Sequence, residues 1–426
     1  MTPDLEQTIL RKKAAFPGAT VSKSYKWELL VLLWLAFFFN QADRQIFSVV
    51  IPLIREDLSL SDAELGLISS VLVWTYGLLV PVAGFVGDKF SKKKIIAFSL
   101  FIWSAATLFT GMCTTLVQFV LLRGVATGGG EAFYAPPANS LISEHHKKTR
   151  SLALSIHQTA VYVGIISSGF IAGYIAERYG WQNAFYCFGF LGIVLAIIIF
   201  KRLANDVPVV IEKAHPFKET LKEIIKKPSI VLLTLGFACM VFVNVGYLTW
   251  MPSFLTEKFA LSLSAAGFSS MFYHHIGALG GVILGGSMSD KLSAKKPVYR
   301  LVIQGVALLC GAPFIYFLGM AQTETLMYAS LFVFGFFRGI YDSNIFASLY
   351  ELVRPQIRSS ASGIMLMFAF LTGAFSPYIL GILKPTLGLA TGISWLWLSY
   401  FLGFLFIITA AIFFFKKDRI VSKIEV

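Results

Sequence analysis

The strings GFVGDKFSKKK at Gly84–Lys94 and GSMSDKLSAKK at Gly286–Lys296 decide how this chain is read. Each lies between two long apolar runs and carries Gly, Asp, Lys, Ser and paired lysines at matched places. A charged string in that setting reads as a tight turn joining two membrane helices, with its lysines at the aqueous surface. Its recurrence about half a chain later points to two duplicated halves. Within the strings, Gly84 and Gly286 would permit close helix crossing. Asp88 and Asp290 would accept from exposed amides at a neighbouring helix N-terminus, with Lys89 and Lys291 anchoring the turn. Contacts of that kind, made in one conformation and broken in another, suit a gate.

Working outward, the 426 residues are 56% hydrophobic and 14% charged. Soluble domains carry roughly 45–50% apolar and about 25% charged residues, so the chain is built for lipid. A spanning helix needs about 20 apolar residues. The apolar runs supply twelve such segments, near 27–54, 62–86, 95–113, 116–142, 150–175, 183–201, 229–256, 262–288, 298–320, 325–351, 358–383 and 392–415. The expected fold is an all-α integral membrane protein of two pseudo-symmetric six-helix halves, 27–201 and 229–415. A polar, lysine-rich linker at 202–228 joins them, and tails at 1–26 and 416–426 flank them. Short loops leave no room for a globular catalytic domain, and no catalytic residues or cofactor are expected. One two-half unit would suffice for function, so a monomer is expected.

The net charge of +13 is a matter of topology. Of 36 Lys and Arg, 29 fall on the side that holds both tails and the linker. The opposite side holds Arg55, Arg178, Lys258 and Lys384, while Arg44, Arg123 and Arg338 fall inside spans. This asymmetry follows the positive-inside rule, places both termini in the cytosol, and gives no footprint for nucleic acid. The expected location is the plasma membrane, in a bacterium the inner one. The polar first 26 residues lack the charged-then-apolar pattern of a cleavable signal. Cys113, Cys187, Cys239 and Cys310 lie in or at the edge of apolar runs without metal or redox spacing, and read as packing residues.

Ionisable residues inside a span cost at least about 2.5–3.5 kcal/mol each and are kept for function. The first span carries Asn40-Gln41-Ala42-Asp43-Arg44 near its middle. Adjacent residues point about 100° apart on a helix, so Asp43 and Arg44 need not pair with each other. One could meet a ligand while the other faces a neighbouring helix; a structural interhelical ion pair is the alternative. The fourth span carries Arg123, Gly128-Gly129-Gly130, Glu131, Tyr134 and Pro136-Pro137. Glu131 is the best proton carrier in the chain, because burial favours a neutral carboxyl and a nearby Arg favours a charged one. The triple glycine allows either close helix packing or local unwinding at a site. In the tenth span Arg338 and Asp342 are four apart, share a face, and read as an internal structural ion pair. His145-His146 and His274-His275 have no second pair at ligand spacing, so no metal is expected. His157, beside Gln158 and one turn before Tyr162, could reach a cavity or form an interhelical hydrogen bond.

These residues resemble the major facilitator superfamily over essentially the whole chain. The two repeated strings look like that family's motif between its second and third helices, with Ser91 and Ser293 where glycine is usual and lysines for most arginines. Asn40-x-x-Asp43-Arg44, Trp74-Thr75-Tyr76 and Arg123…Gly130-Glu131-Ala132 resemble the anion:cation symporter branch. That branch includes proton-coupled carriers of sugar acids and sialic acid. Asp43-Arg44 with GEAFY is similar to Spinster-type lipid transporters. The symporter resemblance implies that Arg44 binds a substrate carboxylate, that Asp43 and Glu131 take part in proton coupling, and that Arg123 pairs with one of those acids as they change state. Tyr76, Tyr134, His157 and Gln158 are then candidates for hydroxyl contacts.

Family members place the Arg and Glu of the fourth helix seven apart; here the interval is eight, which would turn Glu131 about 80° off Arg123's face. A bulge or unwinding within Gly128–Gly130 would restore the alignment. The resemblance implies proton-coupled symport of a small organic anion, such as a hexuronate, aldonate or sialic acid, by alternating access. Sodium stays open as the coupling ion. The alternative is a Spinster-like exporter or flippase of a lysolipid or other amphiphile. A membrane enzyme would need a clustered catalytic set at one interface, whereas these charges lie at mid-membrane.

Overall fold

The computed structural model describes residues 24–205 and 217–420, with the backbone alone at Gly84, Phe85, Asp88, Lys89, Ser151, Phe217, Lys218, Gln356 and Ser359. Most of the N-terminal tail, the middle of the linker and the last residues of the C-terminal tail fall outside the described residues. The described residues are helical and form twelve rods. In the first half these are α1 (Tyr25–Leu58), α2 (Asp62–Lys89), α3 (Lys92–Thr110), α4, α5 (Arg150–Tyr179) and α6 (Trp181–Arg202). Rod α4 is built of Leu116–Phe119, a π-helical stretch Val120–Thr127, Gly128–Ala132 and Ala135–His145. A short linker helix, Phe217–Ile225, leads to α7 (Pro228–Phe259), α8 (Leu263–Ser293) and α9 (Tyr299–Met320). Rod α10 comprises Glu324–Asp342 and Ile345–Leu352. Rod α11 comprises Arg358–Gly373 and the start of Phe375–Trp395, where a bend at Gly388 (φ 73°) passes the chain to α12, continued by Trp397–Thr409, a π-helical stretch Ala410–Phe414 and Phe415–Asp418.

The duplication is visible in how the rods start and stop. Both α1 and α7 contain an internal proline (Pro52, Pro252) and end at a left-handed residue, Ser59 or Ala260, each with φ 52°. The Ser61 and Ser262 hydroxyls then accept from the amides of Glu64 and Ala265, capping α2 and α8. Thr115 and Thr323 cap α4 and α10 in the same way. Each cap satisfies an amide that the first helical turn leaves without a partner. The repeated strings do not form loops over their whole length. Gly84 to Lys89 and Gly286 to Ser293 continue α2 and α8, and only the residues after them turn.

Seven stretches are long and apolar enough to cross a membrane by composition alone, the last of them running through both α11 and α12. The rods that fall short are α1, α4, α8 and α10. These hold Asp43 and Arg44, Arg123 and Glu131, His274 and His275, and Arg338 and Asp342. Low hydropathy thus marks the rods that carry polar groups into the membrane.

The two halves meet along α2 with α11 and along α5 with α8. A methyl group at Gly66, Gly169 or Gly381 would overlap the backbone of Pro377, Gly267 or Asp62, so glycine is what lets these rods touch. Trp74 Nε1 donates to the Leu371 carbonyl at 3.0 Å, and Ser264 N and Oγ donate to Glu177 at 3.1 Å each. At the end away from the termini, Arg55 and Asp62 of one half interlock with Glu257 and Lys384 of the other, at 2.7–3.4 Å. At the terminal end, the ion pairs among the described residues stay within one half: Arg202–Glu28 and Lys92–Glu144 in the first, Arg354–Glu223, Arg300–Asp290 and Arg419–Glu351 in the second. The halves are clasped at one end, and the described contacts do not join them at the other.

Candidate functional site

Midway along α1, where the clasped region gives way, Arg44 meets Glu131. Arg44 Nε donates to Glu131 Oε2 at 2.6 Å, and the guanidinium lies 4.3 Å from the centre of the Tyr76 ring. Glu131 is fully buried, whereas the Arg44 side chain keeps 22% of its surface exposed. A charge-assisted bond this short fixes the guanidinium, and the ring face adds roughly 0.5–2 kcal/mol of cation–π attraction at a partly exposed site. Arg44 Nη2 and Glu131 Oε1 remain without hydrogen-bond partners, so the pair is not saturated.

In this conformation Arg123, 2% exposed, makes no ion pair with Asp43 or Glu131; the pairing that the resemblance implies belongs to a change of their charge state. Its Nη2 donates to the backbone carbonyls of Asp43 (2.7 Å) and Arg44 (3.1 Å), and so holds the stretch of α1 that presents Arg44. The rod widens upstream of where a bulge was expected. The π-helical turns occupy Val120–Thr127, whereas Gly128–Ala132 is regular α-helix. A π-turn takes up an extra residue, so Arg123 and Glu131 both reach α1 despite their eight-residue interval. Two of the three glycines serve packing: a methyl at Gly128 would lie 2.6 Å from the Leu72 carbonyl, and one at Gly130 2.9 Å from Trp103. Asp43 is fully buried; Thr107 Oγ1 donates to its Oδ2 at 3.4 Å, and its Oδ1 has no partner.

The other expected contacts divide. Gln158 is exposed and Tyr76 half-buried, with Tyr76 held under Arg44. Tyr134 and His157 are buried and face each other instead of a cavity. The Tyr134 hydroxyl donates to the Leu33 carbonyl (2.5 Å) and lies 3.0 Å from His157 Nε2. In this conformation they form the interhelical hydrogen bond that was the other reading of His157.

On the opposite wall Arg338 Nε stands 3.4 Å from Asp342 Oδ2, while Nη1 lies 2.9 Å from His274 Nε2. An arginine only donates, so Nε2 of His274 is the acceptor. His274 is therefore a partner of Arg338 that sequence reading missed. In this conformation the second repeated string makes other contacts than those expected of it. A side chain at Gly286 would meet nothing within 4 Å, and it is Gly285 whose Cβ would press on Ile340, at 2.7 Å. Asp290 accepts from Arg300 Nη2 at 3.0 Å rather than from helix-end amides, since α8 runs on past it and places Arg300 alongside. Lys291 is exposed; Gly84, Asp88 and Lys89 are described by backbone only. The clasp of Arg55, Asp62, Glu257 and Lys384 was also unforeseen. Its signal in the sequence is the scarcity of charge on that side, against which Arg55 and Lys384 stand out.

Among the described residues no cluster has metal-ligand character. Comparison with known proteins adds the following. The sequence profile of the Major Facilitator Superfamily matches residues 33–377 and 276–425. The chain is 27% identical over 395 residues to protein spinster homolog 1 of Xenopus tropicalis, covering 85% of this chain and 74% of that one. It is 26% identical over 387 residues to the hexuronate transporter of Bacillus subtilis, covering 86% and 90%. A crystal structure of a bacterial homologue of the human lysosomal transporter Spinster, in an inward-facing and unoccupied conformation, superposes with a TM-score of 0.80. At 23% identity over 94% of this chain and all of that one, this likeness concerns the fold.

Proposed function

Since this chain belongs to the major facilitator superfamily and is a membrane transporter, not an enzyme, we propose that it is a proton-coupled symporter of a small organic anion. The best candidate is a sugar acid such as a hexuronate, aldonate or sialic acid, moved by alternating access. The observation that carries this reading is the Arg44–Glu131 pair: a partly exposed cation held by one fully buried acid at mid-membrane. A carboxylate arriving from the open end competes with Glu131 for Arg44. Glu131, displaced from its counter-charge in a buried place, takes up a proton, and Asp43 stands close behind as a second acceptor. Arg123 positions Arg44 through the α1 backbone. With the basic loops in the cytosol, the clasp lies on the outer side and the conformation is inward-open. Release of the clasp and closure of the terminal end complete the cycle.

The second reading is a Spinster-like exporter or flippase of a lysolipid or other amphiphile. It is supported by a similarity to Spinster homologues (27%) that matches the similarity to the hexuronate transporter (26%). Uptake of labelled sugar acids into proteoliposomes, with and without an inward proton gradient, separates the two. Gradient-driven uptake that disappears in Arg44→Ala supports symport. No uptake of any anion, with movement of a lysolipid in the same vesicles, supports the second reading instead.

A further inference from the structure

The two mid-membrane ion pairs are turned in opposite senses. On the first half the cation is the exposed partner: Arg44 at 22% against 0% for Glu131. On the second half the acid is: Asp342 at 30% against 16% for Arg338. The reversal has a visible cause. Arg338 is drawn back onto α8 by His274 at 2.9 Å, whereas Asp342 projects from the end of the first segment of α10. The pairs also differ in strength. Arg44 and Glu131 share a 2.6 Å hydrogen bond, while Arg338 Nε lies 3.4 Å from Asp342 and makes no hydrogen bond of its own. Asp342 therefore retains most of its capacity to accept. Tyr162 of the first half packs edge-on against His275, ring centres 5.9 Å apart, beside the histidine that holds Arg338, so this part of the second half faces α5 of the first.

We infer that the transported molecule is a zwitterion, its anionic group on Arg44 and an ammonium on Asp342. The inference rests on the reading of Arg44 as the anion anchor and narrows the substrate class that reading leaves open. A plain anion satisfies one wall and leaves Asp342 with a weak partner. An added ammonium donates charge-assisted hydrogen bonds to the other wall, and a site built to receive such a donor discriminates against the analogue without it. The same chemistry occurs in soluble amino acids and amino-sugar acids and in zwitterionic lysolipid headgroups.

The test measures binding to the purified full chain with two matched pairs of probes. The soluble pair is 6-amino-6-deoxy-D-gluconate and D-gluconate; the lipid pair is lysophosphatidylethanolamine and lysophosphatidic acid. Within one pair the ammonium-bearing member is expected to bind at least tenfold more tightly, and the pair that responds identifies the source. In Asp342→Asn that ratio falls below twofold; in Asp342→Glu, which keeps the charge, it persists and guards against misfolding as the cause. Equal binding within both pairs, no binding by any of the four, or a ratio that survives in Asp342→Asn overturns the inference. Binding lost in Arg44→Ala while the ratio is absent from the wild type removes the zwitterion and leaves the anion transporter standing. Binding unaffected by Arg44→Ala removes the anchor itself.

Discussion

The first and second halves share their caps, internal prolines and left-handed helix ends, yet carry their charge differently. In the first half, a buried glutamate holds an arginine that remains partly exposed. In the second, a buried histidine restrains an arginine whose aspartate remains open. Duplication has preserved the scaffold, set by capping and glycine contacts, while the mid-membrane side chains have diverged. The lesson is that rod geometry and site chemistry are carried by different residues, so one can change without the other.

The sharpest way to break the comparison is to remove each arginine in turn. Arg44→Ala is expected to lower initial uptake at least 100-fold, whereas Arg338→Ala lowers it by less than tenfold and mainly depresses the melting temperature. Equal losses of uptake would show that the walls are equivalent. Glu131→Gln comes next. It is expected to abolish accumulation driven by a proton gradient and to flatten the pH dependence of uptake, while counterflow exchange continues within about threefold of wild type. Loss of exchange as well would assign Glu131 to substrate binding rather than coupling.

Smaller effects concern the clasp. A leucine at Gly169 has no space against the Gly267 backbone and is expected to drive the halves apart at that end. A cysteine placed at Gln158, exposed in this conformation, should then react severalfold more slowly with a reagent supplied at the terminal side. Lys384→Met removes a cation, 8% exposed, that meets both Asp62 and Glu257. At about 1 kcal/mol for a partly exposed pair, the same cysteine assay should report a shift of roughly fivefold. Smallest of all, Thr127→Val removes the hydroxyl that donates to the Leu122 carbonyl at 3.0 Å within the widened stretch, and is expected to cost about 1 kcal/mol in a melting experiment.

Much of the fold was legible because lipid imposes local rules. Apolar runs of about 20 residues, lysine-rich turns and a repeated string are written in short stretches of chain. The charged mid-membrane residues stood out for the same reason. Their partners did not. Arg44 finds Glu131 across 87 positions, and Lys384 finds Asp62 across 322, and no periodicity encodes such meetings. Tyr134 and His157 looked equally suited to a cavity and to packing, and their inward orientation depends on how α1, α4 and α5 are rotated about their axes. Arg338's histidine lay in plain view as His274, but only the close approach of α8 and α10, made possible by Gly277, Gly281 and Gly339, brings it within reach.

The widened stretch Val120–Thr127 contains one residue more than a regular helix needs to bring Arg123 and Glu131 to the same side. Any pattern written with a fixed interval between those two residues will count this chain as lacking the pair, although both side chains reach α1. In a membrane rod an inserted residue can thus be absorbed as girth instead of as rotation, with Thr127 lending its hydroxyl to the main chain that the wider turn disturbs. Alignments of such transporters should therefore allow a one-residue gap inside a span, where they ordinarily forbid it, and look there for members whose charges have kept their places while their numbering has slipped.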